Sequence, residues 1–326
     1  MLIKDLLERE QVEYHVIEAR TKGIDSFARK TERQHQFLKY KDPLKEITDL
    51  SGIRVVVYYT DDVDKVARII EREFLIDREN SLDKGSLLKP QEFGYRSVHY
   101  VVSISESRQE LCEWNNFTGF KAEIQIRTVL QHAWAAIDHK LRYKKESDVP
   151  FPLSRKLFRL SGLLELADEE FLNIRGEVSV FGAESRRRIA AKDTNLQINA
   201  ITLGEYLKSS ERIKVLVNIA HQSGLEIHED DSHSLSLLVS FCAKAGILSI
   251  GQLEEFLESV IRHAQKFFTA IRLSSGGEWQ TSPCFLLMYL LVGARKDIFS
   301  DVYLQDWSSD IVGFLRLNSS ILSGNK

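Results

Sequence analysis

Cysteine is scarce in this 326-residue chain: Cys112, Cys242 and Cys284 are the only three, and they lie far apart. An odd, scattered set builds neither a disulfide framework nor a zinc site, and it suits a reducing compartment. Long apolar runs are missing as well. The best, around Phe285 to Val292, reaches only about half the length of a bilayer-spanning helix. Met1 to Glu13 mixes apolar with charged side chains, unlike a signal peptide. An excess of one charge is also lacking. The net charge is -3, so no global field draws the chain to nucleic acid, and anion binding has to rest on local clusters. Together these absences lead us to expect a cytoplasmic protein without membrane contact.

What is present is ordinary globular material, 43% hydrophobic and 28% charged, in a chain long enough for two domains. Leu2, Ile3, Leu6 and Leu7 have helical spacing. Tyr14 to Ile17 reads as a strand leading to Arg20, and Ser26 to Lys39 as a basic helix. Ile53 to Tyr59 is a Val- and Tyr-rich buried strand. Asp61 or Asp62 caps a helix that runs to about Glu73. Asn80 to Glu92 is a loop, and Ser97 to Ile104 and Lys121 to Thr128 alternate as strands. A helix from Val129 to Lys144 follows. Beyond Pro150 and Pro152, Ser154 to Gly176 reads as one long amphipathic helix. The expected division is a domain over 1–178, a charged linker over 179–195 around Arg186, Arg187 and Arg188, and a mainly helical region over 196–326.

Chemistry concentrates in four segments before residue 145. Arg20, Lys22, Ser26 and Lys30 surround an expected helix N-terminus, where free N–H groups, a hydroxyl and cations suit phosphate. Between Arg20 and Lys45 there are eight Lys/Arg against three Asp/Glu, so this stretch is locally basic although the chain is not. Asp49 precedes an apolar strand, with Gly52 permitting close backbone approach; a carboxylate there can hold Mg²⁺. Tyr95, Ser97 and His99 follow Gly94 on one strand face and offer an aromatic, a hydroxyl and an imidazole to a nucleotide. Glu123, Gln125 and Arg127 share another face, opposite Ala122, Ile124 and Ile126. Alone, each segment also fits a plainer role: a solvated helix face, a turn aspartate, a half-exposed strand. His132 and His139, seven apart on a helix, read as structural, because no Cys or acidic pair completes a metal spacing. His228 to His233 reads as a polar loop.

In this order, the four segments resemble the synthetase domain of the RelA/SpoT family. The matching elements are Arg20-x-Lys22-x-x-x-Ser26-x-x-x-Lys30, Asp49-Leu-x-Gly-x-Arg54, Gly94-Tyr95-x-Ser97-x-His99 and Glu123-Ile-Gln125-Ile-Arg127-Thr128, followed by His132-Ala-Trp134. The resemblance runs from about Tyr14 to Arg175. It implies an α/β (α+β) nucleotidyltransferase-like domain, a mixed sheet flanked by helices. It implies transfer of the β,γ-pyrophosphate of ATP to the 3′ hydroxyl of GDP or GTP, with Mg²⁺ as cofactor. Arg20 would stack on adenine, and Lys22, Ser26 and Lys30 would hold the ATP phosphates. Asp49 and Glu123 would bind the metal, with Glu123 also the proton acceptor. Tyr95 would stack on guanine, and Ser97, His99, Gln125 and Arg127 would line the acceptor pocket.

Phe93 stands where many such synthetases carry Asn, which leaves the acceptor open. No His-Asp dipeptide occurs, so no sign of the family's hydrolase domain is expected. Two other readings stand beside this one: a toxin-like relative that pyrophosphorylates the 3′ end of tRNA, using Arg186 to Arg188 and the basic helix around Lys30 to Lys45 as basic contacts, and a nucleotide-sensing module without catalysis. Self-association and a regulatory partner both stand open for the helical region.

Overall fold

The computed structural model describes residues 2–35, 43–83, 97–141, 151–275, 279–299, 304 and 307–322. The chain divides into two compact units, Met1–Arg175 and Gly176–Lys326. In order, the first contains α1 (Leu2–Arg9), β1 (Val16–Thr21), α2 (Ile24–His35), α3 (Pro43–Glu46), β2 (Ser51–Val57), α4 (Thr60–Glu73), β3 (Phe74–Ile76), β4 (Leu82–Asp83), β5 (Val98–Ile104), α5 (Glu106–Gln109), β6 (Ala122–Thr128), α6 (Val129–Leu141) and the start of α7 (Phe151–Ala190).

Among the described residues these strands form a six-stranded mixed sheet in the order β1-β2-β6-β5-β3, with β4 paired to β5. Only β2 and β6 run parallel; the β1–β2, β5–β6, β3–β5 and β4–β5 pairs are antiparallel. Strand alternation divides the two faces. Val55, Val57, Ile124, Ile126 and Val102 turn to one side and pack with Val63, Val66, Ile69 and Ile70 of α4 and with Ile3, Leu6 and Leu7 of α1. Glu18, Arg20, Gly52, Arg54, Glu123, Gln125 and Arg127 take the opposite parity. Register puts Arg20 beside Gly52, Gly52 beside Glu123, and Arg54 between Glu18 and Gln125. The apolar core therefore lies under one face, and the polar residues collect on the other.

Helix α6 covers part of that polar face, since His132 feels the charges of Arg54, Glu18 and Arg127. Its start is held by a reciprocal cap: Thr128 Oγ1 accepts from Gln131 N (3.1 Å), and Gln131 Oε1 accepts from Thr128 N (3.0 Å). Thr128 Oγ1 also donates to Asp168 of α7 at 2.8 Å. Further along, Arg175 reaches Asp61 at 2.5 Å and Asp62 at 3.2 Å, and its guanidinium lies over the Tyr59 ring. Thus α7 is fastened both to the end of β6 and to the start of α4.

Two local expectations need correction. Neither Asp61 nor Asp62 caps α4. Tyr59 occupies the N-cap without a side-chain bond, and the two aspartates sit inside the first turn, paired with Lys65 and Arg175. The charged segment 179–195 is mostly helix, because α7 continues unbroken to Ala190. Its arginines are accommodated by Glu205, 2.9 Å from Arg186, and Asp193, 2.7 Å from Arg188. Three other expected stretches lie outside the described residues: Gln36 to Lys39 at the end of the basic helix, 84–92 of the loop ending at Glu92, and 142–144 at the end of the helix expected to reach Lys144.

The second unit continues through α8 (Ala200–Ser209), α9 (Glu211–Gln222), β7 (Leu225–Ile227), α10 (Ser232–Lys244), α11 (Ile250–Ser275), β8 (Trp279–Thr281), α12 (Pro283–Ala294), α13 (Ser309–Leu317) and α14 (Ser319–Leu322). It is mainly helical, as the periodicity predicts, with one short parallel pair among the described residues, β7–β8. The apolar α12 lies at its centre, with Leu286, Leu287, Met288, Leu290, Leu291 and Val292 fully buried. The acidic run before α10 is more than a polar loop. Asp231 caps α10, and Asp230 accepts from the backbone N of Cys284 at the start of α12. No helix among the described residues is long and apolar enough to cross a membrane.

Candidate active site

The uncovered part of the polar sheet face is a cleft of about 500 Å³ lined by Glu18, Ala19, Arg20, Gly52, Ile53, Arg54, Glu123 and Gln125. Gly52 contributes no side chain to its floor. The Arg20 side chain lies across this glycine: a Cβ added to Gly52 would meet Arg20 Cγ and Nε at 3.4 Å. Arg54 is held at the other end by Glu18, at 2.8 Å.

Asp49 stands at the entry to β2 and gathers two lysines from separate elements. Lys22, just past β1, donates to Oδ2 at 2.6 Å; Lys30, on α2, donates to Oδ1 at 2.9 Å. The turn after β1 is itself pinned here by a bond from Lys22 N to Leu50 O at 2.8 Å. Burial opposes ionisation of Asp49, but the two ammonium groups outweigh it and hold the carboxyl below its ordinary range.

Glu123 is the second half-buried carboxylate of the site. Its Oε1 lies 2.8 Å from His99 Nδ1, and its Oε2 accepts from Gln125 Nε2 at 3.0 Å. Arg127 Nη2 donates in turn to Gln125 Oε1 at 2.6 Å. An ionised carboxylate only accepts, so His99 Nδ1 carries the proton. In the neutral ring Nε2 is then an acceptor, and this buried atom has no hydrogen-bond partner among the described residues. The bond from His99 outweighs burial and keeps the Glu123 carboxyl below its usual range, while the nearby charge of Asp49 pushes the other way. The two carboxylates therefore lie within electrostatic reach of one another, both poised to be ionised.

This donor set fits a hard divalent cation. Mg²⁺ takes oxygen ligands and commonly uses one or two carboxylates with substrate phosphates and water supplying the rest. No cluster of three His, Cys, Asp or Glu side chains able to hold a metal occurs among the described residues; Asp49 and Glu123 are the two carboxylates that could share one with substrate phosphates.

The structure brings together Arg20, Lys22, Lys30, Asp49, His99, Glu123, Gln125 and Arg127, drawn from β1, α2, the turn before β2, β5 and β6. Ser26 lies exposed in the first turn of α2, one turn before Lys30. Ser97 is buried at the head of β5, and its Oγ has no hydrogen-bond partner among the described residues. Tyr95, with Phe93 and Gly94, lies outside the described residues. Glu18 and Arg54 line the cleft although the sequence assigns neither a role. The signal for Glu18 is its parity with Arg20 on β1.

Residues 19–148 match the model of the region found in RelA/SpoT proteins. The chain is similar to the GTP pyrophosphokinase YjbM of Bacillus subtilis strain 168, with 31% identity over 181 residues, covering 53% of this chain and 77% of that protein. The GTP pyrophosphokinase YwaC of the same organism is 29% identical over 160 residues, covering 49% of this chain and 73% of the relative. A solved structure of the small alarmone synthetase 1 from Bacillus subtilis, bound to its product pppGpp, is 28% identical with a TM-score of 0.44, covering 54% of this chain and 87% of that one.

Proposed function

The chain belongs to the RelA/SpoT family of GTP pyrophosphokinases, and we propose that its cleft transfers the β,γ-pyrophosphate of ATP to the 3′ hydroxyl of GDP or GTP. The products are AMP and ppGpp or pppGpp. The observation that carries this reading is a pair of carboxylates held below their ordinary range, Asp49 at the entry to β2 beside two lysines and Glu123 on β6 held by an imidazole and a carboxamide.

In this reading Arg20, Lys22 and Lys30 bind ATP, the arginine on the adenine and the lysines on the triphosphate, with Ser26 beside the phosphates. Tyr95 stacks on guanine, and Ser97, His99, Gln125 and Arg127 line the acceptor pocket. Glu123 accepts the proton of the 3′ hydroxyl as its oxygen attacks the β-phosphorus. The bond from that phosphorus to the α,β-bridging oxygen breaks, and AMP leaves. His99 and Gln125 hold the Glu123 oxygens, and Arg127 holds Gln125, so the base is aimed before substrate arrives. Bound to Asp49 and Glu123, Mg²⁺ would neutralise phosphate charge and align the attack.

The test is incubation of the purified chain with γ-labelled ATP and either GDP, GTP or tRNA. Label in a guanine nucleotide, with AMP released, supports the reading. Label in tRNA alone would replace the acceptor, and label in neither would leave a nucleotide-binding module.

A further inference from the structure

The two carboxylates of the cleft differ in the kind of partner they hold. The Glu123 oxygens receive hydrogen bonds from an imidazole and a carboxamide, one each. Both Asp49 oxygens face ammonium groups, at 2.6 and 2.9 Å. Lys22, Lys30 and Asp49 together carry two positive charges and one negative. A divalent cation approaching Asp49 alone meets a carboxylate whose lone pairs are engaged and whose surroundings are positive on balance. A polyphosphate meets the opposite: two ammonium donors whose present partner carries a single charge. Lysine ammonium is a favoured point charge for phosphate.

We propose that Lys22 and Lys30 mask the metal-binding carboxylate: they neutralise Asp49 in the nucleotide-free protein and release it when the ATP triphosphate draws them away. The divalent cation then enters with the nucleotide or after it, never ahead of it. This inference rests on the assignment of ATP to the lysines and of the cation to Asp49. Its consequence is an order of binding: without ATP the cleft holds no competent metal site, so metal and acceptor nucleotide alone leave the machinery incomplete.

A purely structural clamp makes a different forecast. Lys22, Asp49 and Lys30 tie the end of β1, α2 and the turn before β2 together. If that were their whole role, removing a lysine would loosen Asp49 and weaken any metal site. Masking requires the reverse: removing a lysine strengthens metal binding.

The experiment measures Mn²⁺ binding to the nucleotide-free full chain by the loss of the free-ion paramagnetic resonance signal. Wild type is compared with Lys30→Met, Lys22→Met, and each combined with Asp49→Asn, with circular dichroism to check folding. Lys30 is the milder site, its side chain being 34% exposed against 15% for Lys22. Affinity of a non-hydrolysable ATP analogue is measured separately in chelator. Masking predicts weak Mn²⁺ binding to wild type, tightened about tenfold or more by either lysine substitution as a neighbouring positive charge is removed. Asp49→Asn should abolish the gain. Wild type binding Mn²⁺ as tightly as Lys30→Met, while the lysine variants lose ATP affinity, would overturn masking and leave the ATP assignment standing. Unchanged ATP affinity in both lysine variants, with no Asp49-dependent Mn²⁺ binding in any of them, would overturn both.

Discussion

Asp168 is 4% exposed and has one hydrogen bond among the described residues, from Thr128. Burial raises its pKa to about 6, with the Thr128 hydroxyl only partly offsetting it. The unfolded carboxyl titrates near 3.8, so between these values the folded chain binds more protons. Stability therefore falls as pH rises from about 4 through about 6, then levels off; the ionised carboxylate costs roughly 3 kcal/mol at neutral pH. Asp168→Asn keeps the shape and removes the titration. Its thermal midpoint relative to wild type should improve between pH 4.5 and pH 7.5. A constant difference between the two proteins across that range would show that Asp168 does not titrate there. The residue sets the end of β6, from which Glu123 projects, so the variant should alter stability more than chemistry.

Among the elements, β2 has the plainest structural demand. Gly52 lies on the cleft side, opposite Glu123 on β6, and Arg20 rests over it. An alanine Cβ at 3.4 Å from Arg20 is ordinary contact, so Gly52→Ala should change little. The branched side chain of Gly52→Val has to displace Arg20. It should raise the KM for ATP about tenfold or more, the scale of a lost contact of about 1.4 kcal/mol, with a small change in melting temperature. Equal effects of Ala and Val on KM would remove Arg20 from the ATP side. β2 is legible in the sequence as a Val- and Tyr-rich buried run, and β5 and β6 by their alternation. The four segments of the cleft were legible by their resemblance, taken in order. Less local features were not. β4 and β7 are too short for a period to emerge. The Arg186–Arg188 run reads as a linker because one partner, Glu205 on α8, lies in another segment, and the other, Asp193, sits just past the end of α7. Asp62 looked like a cap because Arg175 is 113 residues away. Likewise, the bonds from Lys22 and Lys30 to Asp49 join separate segments, and no spacing along one element announces them.

At the scale of the whole molecule, each unit has a separate core. In the second, Gly293 of α12 meets Phe267 of α11 so closely that an added Cβ would come within 2.7 Å of the ring. Gly293→Ala should lower stability of that unit by about 1–3 kcal/mol through overpacking. Calorimetry should show its transition moving down while ATP affinity at the cleft is kept. Parallel loss of ATP affinity would mean that the cleft depends on the second core. The catalytic claim itself turns on Glu123, and the most direct measurement is single-turnover transfer of label from γ-labelled ATP to GDP by Glu123→Gln and wild type. Nucleotide affinity and circular dichroism are recorded on the same preparations. The substitution keeps the shape and removes the charge that accepts the proton and helps hold the cation. Transfer should fall by at least about 10²–10⁴-fold, the range general-base help supplies, with the fold and ATP binding in chelator retained. Near-normal transfer by a folded Glu123→Gln protein would contradict the assignment of the base and of the cleft around it.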